Sequence, residues 1–184
     1  MKNFTFSLII SAFLVSCATT PVNSETDSDK NSEDQKSAIE QSAGSFSLDL
    51  ERVDGGTFSF EDIKGKKHLL AAFWATWCEP CKTELKKLAQ MYGEFSEHIE
   101  FVAVSTDSED LTDKVNEFAI ENAIPFPVLI DPSGNIVASI IPGGDTVPYS
   151  IIVDKSGNVI SRHSGYKPGD EEDLKKELTE LLKK

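Results

Sequence analysis

The central part of this chain alternates between strand-like and helix-like patterns of apolar residues. Apolar runs at 68–75 and 99–104 are long enough for buried strands. After each run, apolar residues recur at helical spacing, first at Leu85, Leu88, Ala89, Tyr92 and Phe95, then at Leu111, Val115, Phe118 and Ala119. The order strand, helix, strand, helix predicts parallel strands joined by right-handed crossovers.

Shorter elements are predicted on either side of this unit. Residues 46–60 indicate two short strands around a turn at Asp54-Gly55-Gly56. Two similar segments, 131–137 and 154–160, each combine an aspartate with Ser-Gly-Asn, and we interpret both as β-turns of hairpins. A closing amphipathic helix is predicted by Leu174, Leu178, Leu181 and Leu182. The chain is therefore expected to form an α/β domain with an N-terminal β extension.

The first 16 residues predict an export signal. Lys2 supplies a positive charge, and the apolar run 4–15 is well short of the ~20 residues that span a bilayer as a helix. Leu14-Val15-Ser16-Cys17 resembles a bacterial lipobox, in which cleavage leaves a lipid-bearing cysteine at the N-terminus. Cys17 is thus the predicted lipidation site, and the alternative is an ordinary signal peptide that contains a cysteine.

The segment that follows has the composition of a tether. Residues 17–45 are rich in Ser, Thr, Asp, Glu and Lys and contain no aromatic residue, so they cannot bury enough apolar surface to fold. We therefore predict three parts: a signal peptide at 1–16, a lipidated cysteine with a disordered acidic tether at 17–45, and a folded domain at 46–184.

The net charge and the number of cysteines reduce the number of possible functions. The formal net charge of −13 argues against nucleic acid as a partner, because phosphates attract basic surfaces. The chain has three cysteines, and with Cys17 assigned to the targeting segment only Cys78 and Cys81 remain in the domain. A domain held together by disulfides would use more, so this pair is predicted to be catalytic.

The spacing of the pair indicates redox chemistry. Cys78 follows the strand 68–75, and Pro80 stands where a helix begins, so the helix N-terminus would favour a Cys78 thiolate. Cys78 is the expected attacking thiol, and Cys81, one turn further on, would resolve the mixed disulfide. A zinc site is the alternative, but the three histidines lack zinc-finger spacing, and we expect no metal. Lys82 stands where a haem-attachment motif requires histidine.

Two glutamates lie close to the cysteine pair in the sequence. Glu79 lies between the cysteines, and its charge is expected to raise the pKa of Cys78 and so to favour a reducing role. Glu84 lies one helical turn after Cys81 and is a candidate for exchanging protons with the buried thiol. The alternative is that Glu84 is an ordinary acid on the helix surface.

The segment Phe73-Trp74-Ala75-Thr76-Trp77-Cys78-Glu79-Pro80-Cys81 resembles the active site of the TlpA/ResA-like, thioredoxin-family thiol-disulfide oxidoreductases. The resemblance implies a thioredoxin-like fold, with a central mixed β-sheet flanked by helices. It also implies that Val147-Pro148 is the family's cis-proline loop, whose backbone pairs with substrate, and that Trp77, Glu79 and Pro80 shape the same surface. The alternative is an ordinary trans proline at the start of a strand. A glutamate at the position of Glu84 has a proton-transfer role in such proteins. Ala72 stands where thioredoxin itself usually has an acid, which places more weight on Glu84.

The resemblance further implies an extracytoplasmic, membrane-anchored lipoprotein that reduces protein disulfides through Cys78 and Cys81. No bound cofactor is expected beyond this redox-active disulfide. The expected partners are disulfide-bearing proteins, apocytochrome c among them, and a membrane dithiol that donates electrons. The enzymatic alternatives are a peroxiredoxin-like antioxidant and a disulfide-forming oxidase. The non-enzymatic alternative is a surface lipoprotein that binds a partner through the thioredoxin groove.

Overall fold

A seven-stranded mixed β-sheet organises the domain in the computed structural model, which describes residues 46–144 and 146–183. The strands are β1 (Asp49–Arg52), β2 (Thr57–Ser59), β3 (His68–Trp74), β4 (Ile99–Ser105), β5 (Val128–Ile130), β6 (Tyr149–Val153) and β7 (Val159–Ser164). The helices are α1 (Glu79–Phe95), α2 (Thr112–Glu121), α3 (Asn135–Ile140) and α4 (Asp170–Leu181). Short 3₁₀ turns occupy Phe60–Asp62 and Glu109–Leu111.

The sheet has the order β2-β1-β5-β4-β3-β6-β7. Strand β3 is central and pairs parallel with β4 and antiparallel with β6. Strand β5 is parallel to β4, while β1 and β2 extend the sheet with antiparallel pairings. This confirms both the predicted parallel unit and the predicted N-terminal β extension.

The two faces of the sheet carry separate apolar cores. In β3, Leu70, Ala72 and Trp74 face one core, which also takes residues of α1, α2 and α4. The alternate residues Leu69, Ala71 and Phe73 face the other core, which takes the N-terminal segment and α3. A strand that is buried on both faces reads as a continuous apolar run, and this explains the pattern at 68–75.

One predicted element is wrong. The segment 131–137 was expected to form the β-turn of a hairpin, like 154–160. The β-turn is present, with a hydrogen bond from the N–H of Gly134 to the carbonyl of Asp131 (2.9 Å), but the chain after it forms α3 instead of a strand. Asp131 is buried, and its carboxylate accepts a hydrogen bond from the backbone N–H of Val137 (2.9 Å), in the first turn of that helix. The turn at Asp154 does join β6 to β7 as predicted. The two segments share turn residues, but the apolar residues after Asn135 pack on the core as a helix.

The described residues include no helix that is both long and apolar enough to cross a membrane. The predicted signal peptide, the predicted lipidation site Cys17 and the predicted tether lie outside the described residues.

Candidate active site

The two cysteines lie at the first turn of α1, where strand β3 delivers the chain to the carboxyl edge of the parallel strands. Cys78 is the N-cap residue of the helix, and its Sγ is bonded to the Sγ of Cys81. The backbone N–H of Cys81 also donates a hydrogen bond to the Sγ of Cys78 (3.3 Å). This N–H is one of those that a helix leaves free at its N-terminus, and it would stabilise negative charge on Cys78 in the reduced protein.

Both cysteines are largely buried. Cys81 is fully buried and Cys78 is 4% exposed, so Cys78 is the more accessible, though by a small margin. Trp77, by contrast, is 68% exposed and stands directly before the disulfide. An exposed indole beside a disulfide offers an apolar surface to a partner.

Glu79 and Pro80 are exposed on the same turn. The carboxylate of Glu79 forms an ion pair with Nζ of Lys82 (2.8 Å), and this contact lowers the pKa of Glu79. Lys82 therefore offsets part of the negative charge that the sequence places beside Cys78. The expected effect of Glu79 on Cys78 is correspondingly reduced.

The Val147–Pro148 peptide is cis. Val147 is half-buried and packs against the core that contains both cysteines. Its backbone forms no hydrogen bond with any other described residue, so its N–H and C=O remain available to an extended peptide. The next residue, Pro148, is bonded to the chain just after β7, because its carbonyl accepts a hydrogen bond from the N–H of Gly165 (2.8 Å).

Glu84 is buried in the structure, with 7% of its surface exposed. It lines a cavity of about 330 Å³ between α1, α4 and the end of β7, together with Leu88, Tyr166, Asp170 and Leu174. No described residue donates a hydrogen bond to its carboxylate. Burial, with a smaller contribution from the charge of Asp170, raises the pKa of Glu84 to about 7. Glu84 can therefore gain or lose a proton near neutral pH, which an acid on the helix surface would not do.

A further carboxylate near the active-site turn was not singled out from the sequence. Asp107 follows β4, is 3% exposed, and accepts hydrogen bonds from both the N–H and the hydroxyl of Thr76. The sequence did contain a signal that could have identified Asp107. It lies two residues after a predicted buried strand, at the sheet edge where Cys78 was expected. In the part of the chain that the structure describes, no three His, Cys, Asp or Glu side chains are grouped to hold a metal ion.

Comparison with known proteins agrees with this geometry. Residues 39–162 match the AhpC/TSA family. The thiol-disulfide oxidoreductase ResA of Oceanobacillus iheyensis is 41% identical over 87 residues, which are 47% of this chain and 44% of that protein. This chain thus matches only about half the length of that curated relative.

Solved structures match over more of the domain. A thiol:disulfide interchange protein of the thioredoxin family from Chlorobium tepidum superposes with a TM-score of 0.64 at 27% identity, over 75% of this chain and 94% of that one. The exposed lipoprotein thioredoxin of Streptococcus pneumoniae has a TM-score of 0.61 at 26% identity, over 73% and 98% of the two chains. The predicted thioredoxin-like fold and the resemblance to ResA-like proteins are confirmed, and the chain belongs to the AhpC/TSA family.

Proposed function

We propose that this protein is an extracytoplasmic thiol-disulfide oxidoreductase that reduces disulfides of other proteins. The observation that carries the proposal is the Cys78–Cys81 disulfide at the N-terminus of α1, beside the exposed Trp77. The names of the related proteins support this class of reaction.

The reaction begins with the reduced dithiol. The Cys78 thiolate attacks one sulfur of the substrate disulfide, forms a mixed disulfide and releases the other substrate sulfur as a thiolate. The Cys81 thiolate then attacks the Sγ of Cys78 and releases the second substrate sulfur. Two electrons pass from the protein to the substrate, and the Cys78–Cys81 disulfide forms. A membrane dithiol would return the pair to its reduced state by the same exchange in reverse.

The surroundings of the disulfide suit an extended protein substrate. The backbone groups of Val147, which bond to no other described residue, can pair with a peptide strand, while Trp77 and Pro80 supply an exposed apolar surface. Glu84 is proposed to accept the proton of the Cys81 thiol before the second attack, since its pKa lies near 7. Glu84→Gln should therefore change the pH dependence of thiol exchange, and an unchanged profile would count against this role.

A trapping experiment tests the reaction directly. Cys81→Ser should accumulate a mixed disulfide between Cys78 and a substrate protein, which mass spectrometry of a non-reduced sample would identify. Cys78→Ser should form none and should not catalyse reduction of insulin by dithiothreitol. Unimpaired reduction by Cys78→Ser would refute the proposal, and consumption of peroxide in preference to disulfides would favour the peroxiredoxin alternative.

The cellular setting is part of the proposal. Lipidation at Cys17 would hold the domain at the outer side of a membrane, and a related domain of known structure is described as an exposed lipoprotein thioredoxin. Apocytochrome c is one candidate substrate, suggested by the TlpA/ResA resemblance. Cys17→Ser should abolish incorporation of labelled fatty acid into the protein, and undiminished labelling would contradict lipidation at Cys17.

A further inference from the structure

Asp107 connects the loop after β4 to the turn that carries Cys78. Its Oδ2 accepts a hydrogen bond from the N–H of Thr76 and its Oδ1 accepts one from the hydroxyl of Thr76, both at 2.8 Å. The hydroxyl of Ser105 donates a further hydrogen bond to Oδ2 (2.8 Å). With 3% of its surface exposed, Asp107 makes these contacts almost entirely away from water. Such bonds to a charged acceptor are among the stronger ones in proteins.

The turn itself has few other attachments. Cys78 closes it through a hydrogen bond from its N–H to the carbonyl of Ala75 (3.0 Å). Among the described residues, no side chain other than Asp107 forms a hydrogen bond to Ala75, Thr76 or Trp77. The backbone of the neighbouring loop adds one bond before the turn, from the N–H of Thr106 to the carbonyl of Trp74 (2.9 Å). Asp107 therefore determines where the residues just before Cys78 lie relative to β4.

This placement matters most in the reduced protein. In the oxidised form the disulfide itself holds Cys78 over the first turn of α1. After reduction that bond is gone. The position of the Cys78 Sγ relative to the N–H of Cys81 then depends on the hydrogen bond from the N–H of Lys82 to the carbonyl of Cys78 (3.2 Å) and on the turn before Cys78. A thiolate that moves away from the helix N-terminus loses its stabilisation and attacks less readily at neutral pH.

We propose that Asp107 is a positioning residue that holds the Cys78 thiolate against the N-terminus of α1 in the reduced protein. This rests on the proposed function only in taking Cys78 as the attacking thiol. It assigns Asp107 no contact with substrate and no proton transfer. Its effect on Cys78 passes through the two hydrogen bonds to Thr76.

Two substitutions separate positioning from charge. Asp107→Ala removes the charge and all of the hydrogen bonds that the carboxylate accepts. Asp107→Asn removes the charge but keeps an acceptor for the N–H of Thr76, and its amide can donate to the Thr76 hydroxyl. A role of the charge alone would make both variants alike, whereas a positioning role predicts that Asn restores what Ala loses.

Asp131 offers a matched control. It is a buried aspartate after the neighbouring strand β5, and it accepts hydrogen bonds from the Val137 N–H and the Ser133 hydroxyl (both 2.9 Å). It forms no hydrogen bond to the turn before Cys78. Asp131→Ala therefore reports what the loss of a comparable buried carboxylate does to the fold in general.

The measurement is the rate at which iodoacetamide alkylates Cys78 in the reduced full-length protein between pH 5 and 9, with the adduct located by mass spectrometry. We expect Asp107→Ala to slow alkylation at pH 7 by about tenfold and to shift the midpoint of the profile to higher pH. Asp107→Asn should stay within about threefold of the unmodified protein, since it can remake both contacts. Asp131→Ala should leave the profile unchanged.

Two results would overturn the proposal. One is an alkylation profile of Asp107→Ala that coincides with that of Asp131→Ala. Asp107 would then stabilise the fold without positioning Cys78. The other is an equal shift in Asp107→Ala and Asp107→Asn, which would assign the effect to charge. If Asp107→Ala fails to fold, Thr76→Val removes the hydroxyl contact alone and must still slow alkylation relative to Asp131→Ala.

Discussion

At the scale of single residues, Glu84 links the interior of the domain to solution pH. The residue is 7% exposed, and the pKa of its carboxyl group is raised to about 7 by burial and, to a smaller extent, by Asp170. In the unfolded chain the pKa of a glutamate is near its ordinary value of 4.5. As pH rises from 4.5 towards 7, the unfolded state loses this proton first, so ionisation of Glu84 destabilises the fold.

We therefore expect Glu84→Gln to remove a pH dependence of stability. The raised pKa means that the stabilising contribution is complete below pH 4.5 and is lost as pH rises through about 7. Relative to the Gln variant, the unmodified protein should lose up to roughly 3 kcal/mol of unfolding free energy across this range. Urea denaturation at pH 4.5, 6 and 8 measures this difference.

The exposed Glu117 provides the control, because Glu117→Gln changes a carboxylate of α2 that lies in water. It should leave the pH dependence of unfolding unchanged. A difference between the unmodified protein and Glu84→Gln that is equal at all three pH values would show that Glu84 keeps an ordinary pKa.

Individual residues also show which features of the candidate site could be predicted from the sequence. The spacing Cys78-x-x-Cys81 on a strand-to-helix junction was sufficient to place the disulfide, because this geometry depends on local chain only. Glu84 was singled out as a candidate by its position one turn after Cys81. Its burial beside α4 could not be predicted locally, because that helix lies nearly ninety residues further along the chain. Asp107 was missed because its partner Thr76 lies 31 residues away, and no local pattern reports that contact.

At the scale of elements, local sequence similarity did not predict the different structures of the segments after Asp131 and Asp154. Both begin with an aspartate that accepts hydrogen bonds from nearby backbone N–H groups. The segment after Asp131 leads into α3, whereas the segment after Asp154 joins two strands. The difference arises from packing, since Val137 and Ile141 fill the second core of the sheet. Tertiary contacts of this kind commonly override turn chemistry.

Asp131→Ala tests this account of α3. The substitution removes the acceptor for the Val137 N–H in the first turn of the helix, so we expect a loss of about 1–2 kcal/mol in unfolding free energy. Urea denaturation measures it, and Ser133→Ala serves as the comparison. It removes a hydroxyl that donates to the same carboxylate and accepts a longer hydrogen bond (3.3 Å) from the N–H of Asn135, but it leaves the bond from Asp131 to the Val137 N–H intact. A loss no greater than that of Ser133→Ala would mean that Asp131 does not stabilise the start of α3.

At the scale of the whole molecule, the sheet has both faces covered, and the candidate site lies at the edge formed by the carboxyl ends of its parallel strands. Strands β3 and β4 end beside each other, and their following loops bring Cys78 and Asp107 together at that edge. This is the usual place for a site in an α/β fold, because chain turns at the carboxyl ends of parallel strands meet there. The alternation of apolar and amphipathic segments was enough to predict the parallel unit, while the antiparallel edges and the cavity beside Glu84 depended on long-range packing.

The reduction potential of the Cys78–Cys81 pair tests the central claim most directly. It is measured by equilibrating the purified protein with dithiothreitol or glutathione mixtures of known ratio and counting free thiols. We predict a value near that of thioredoxin, ~−270 mV, as expected for a pair that passes electrons to substrate disulfides. A value near ~−120 mV would make the protein an oxidant and contradict the proposed direction of electron flow. A value well below ~−300 mV would indicate a structural disulfide and contradict the catalytic role altogether.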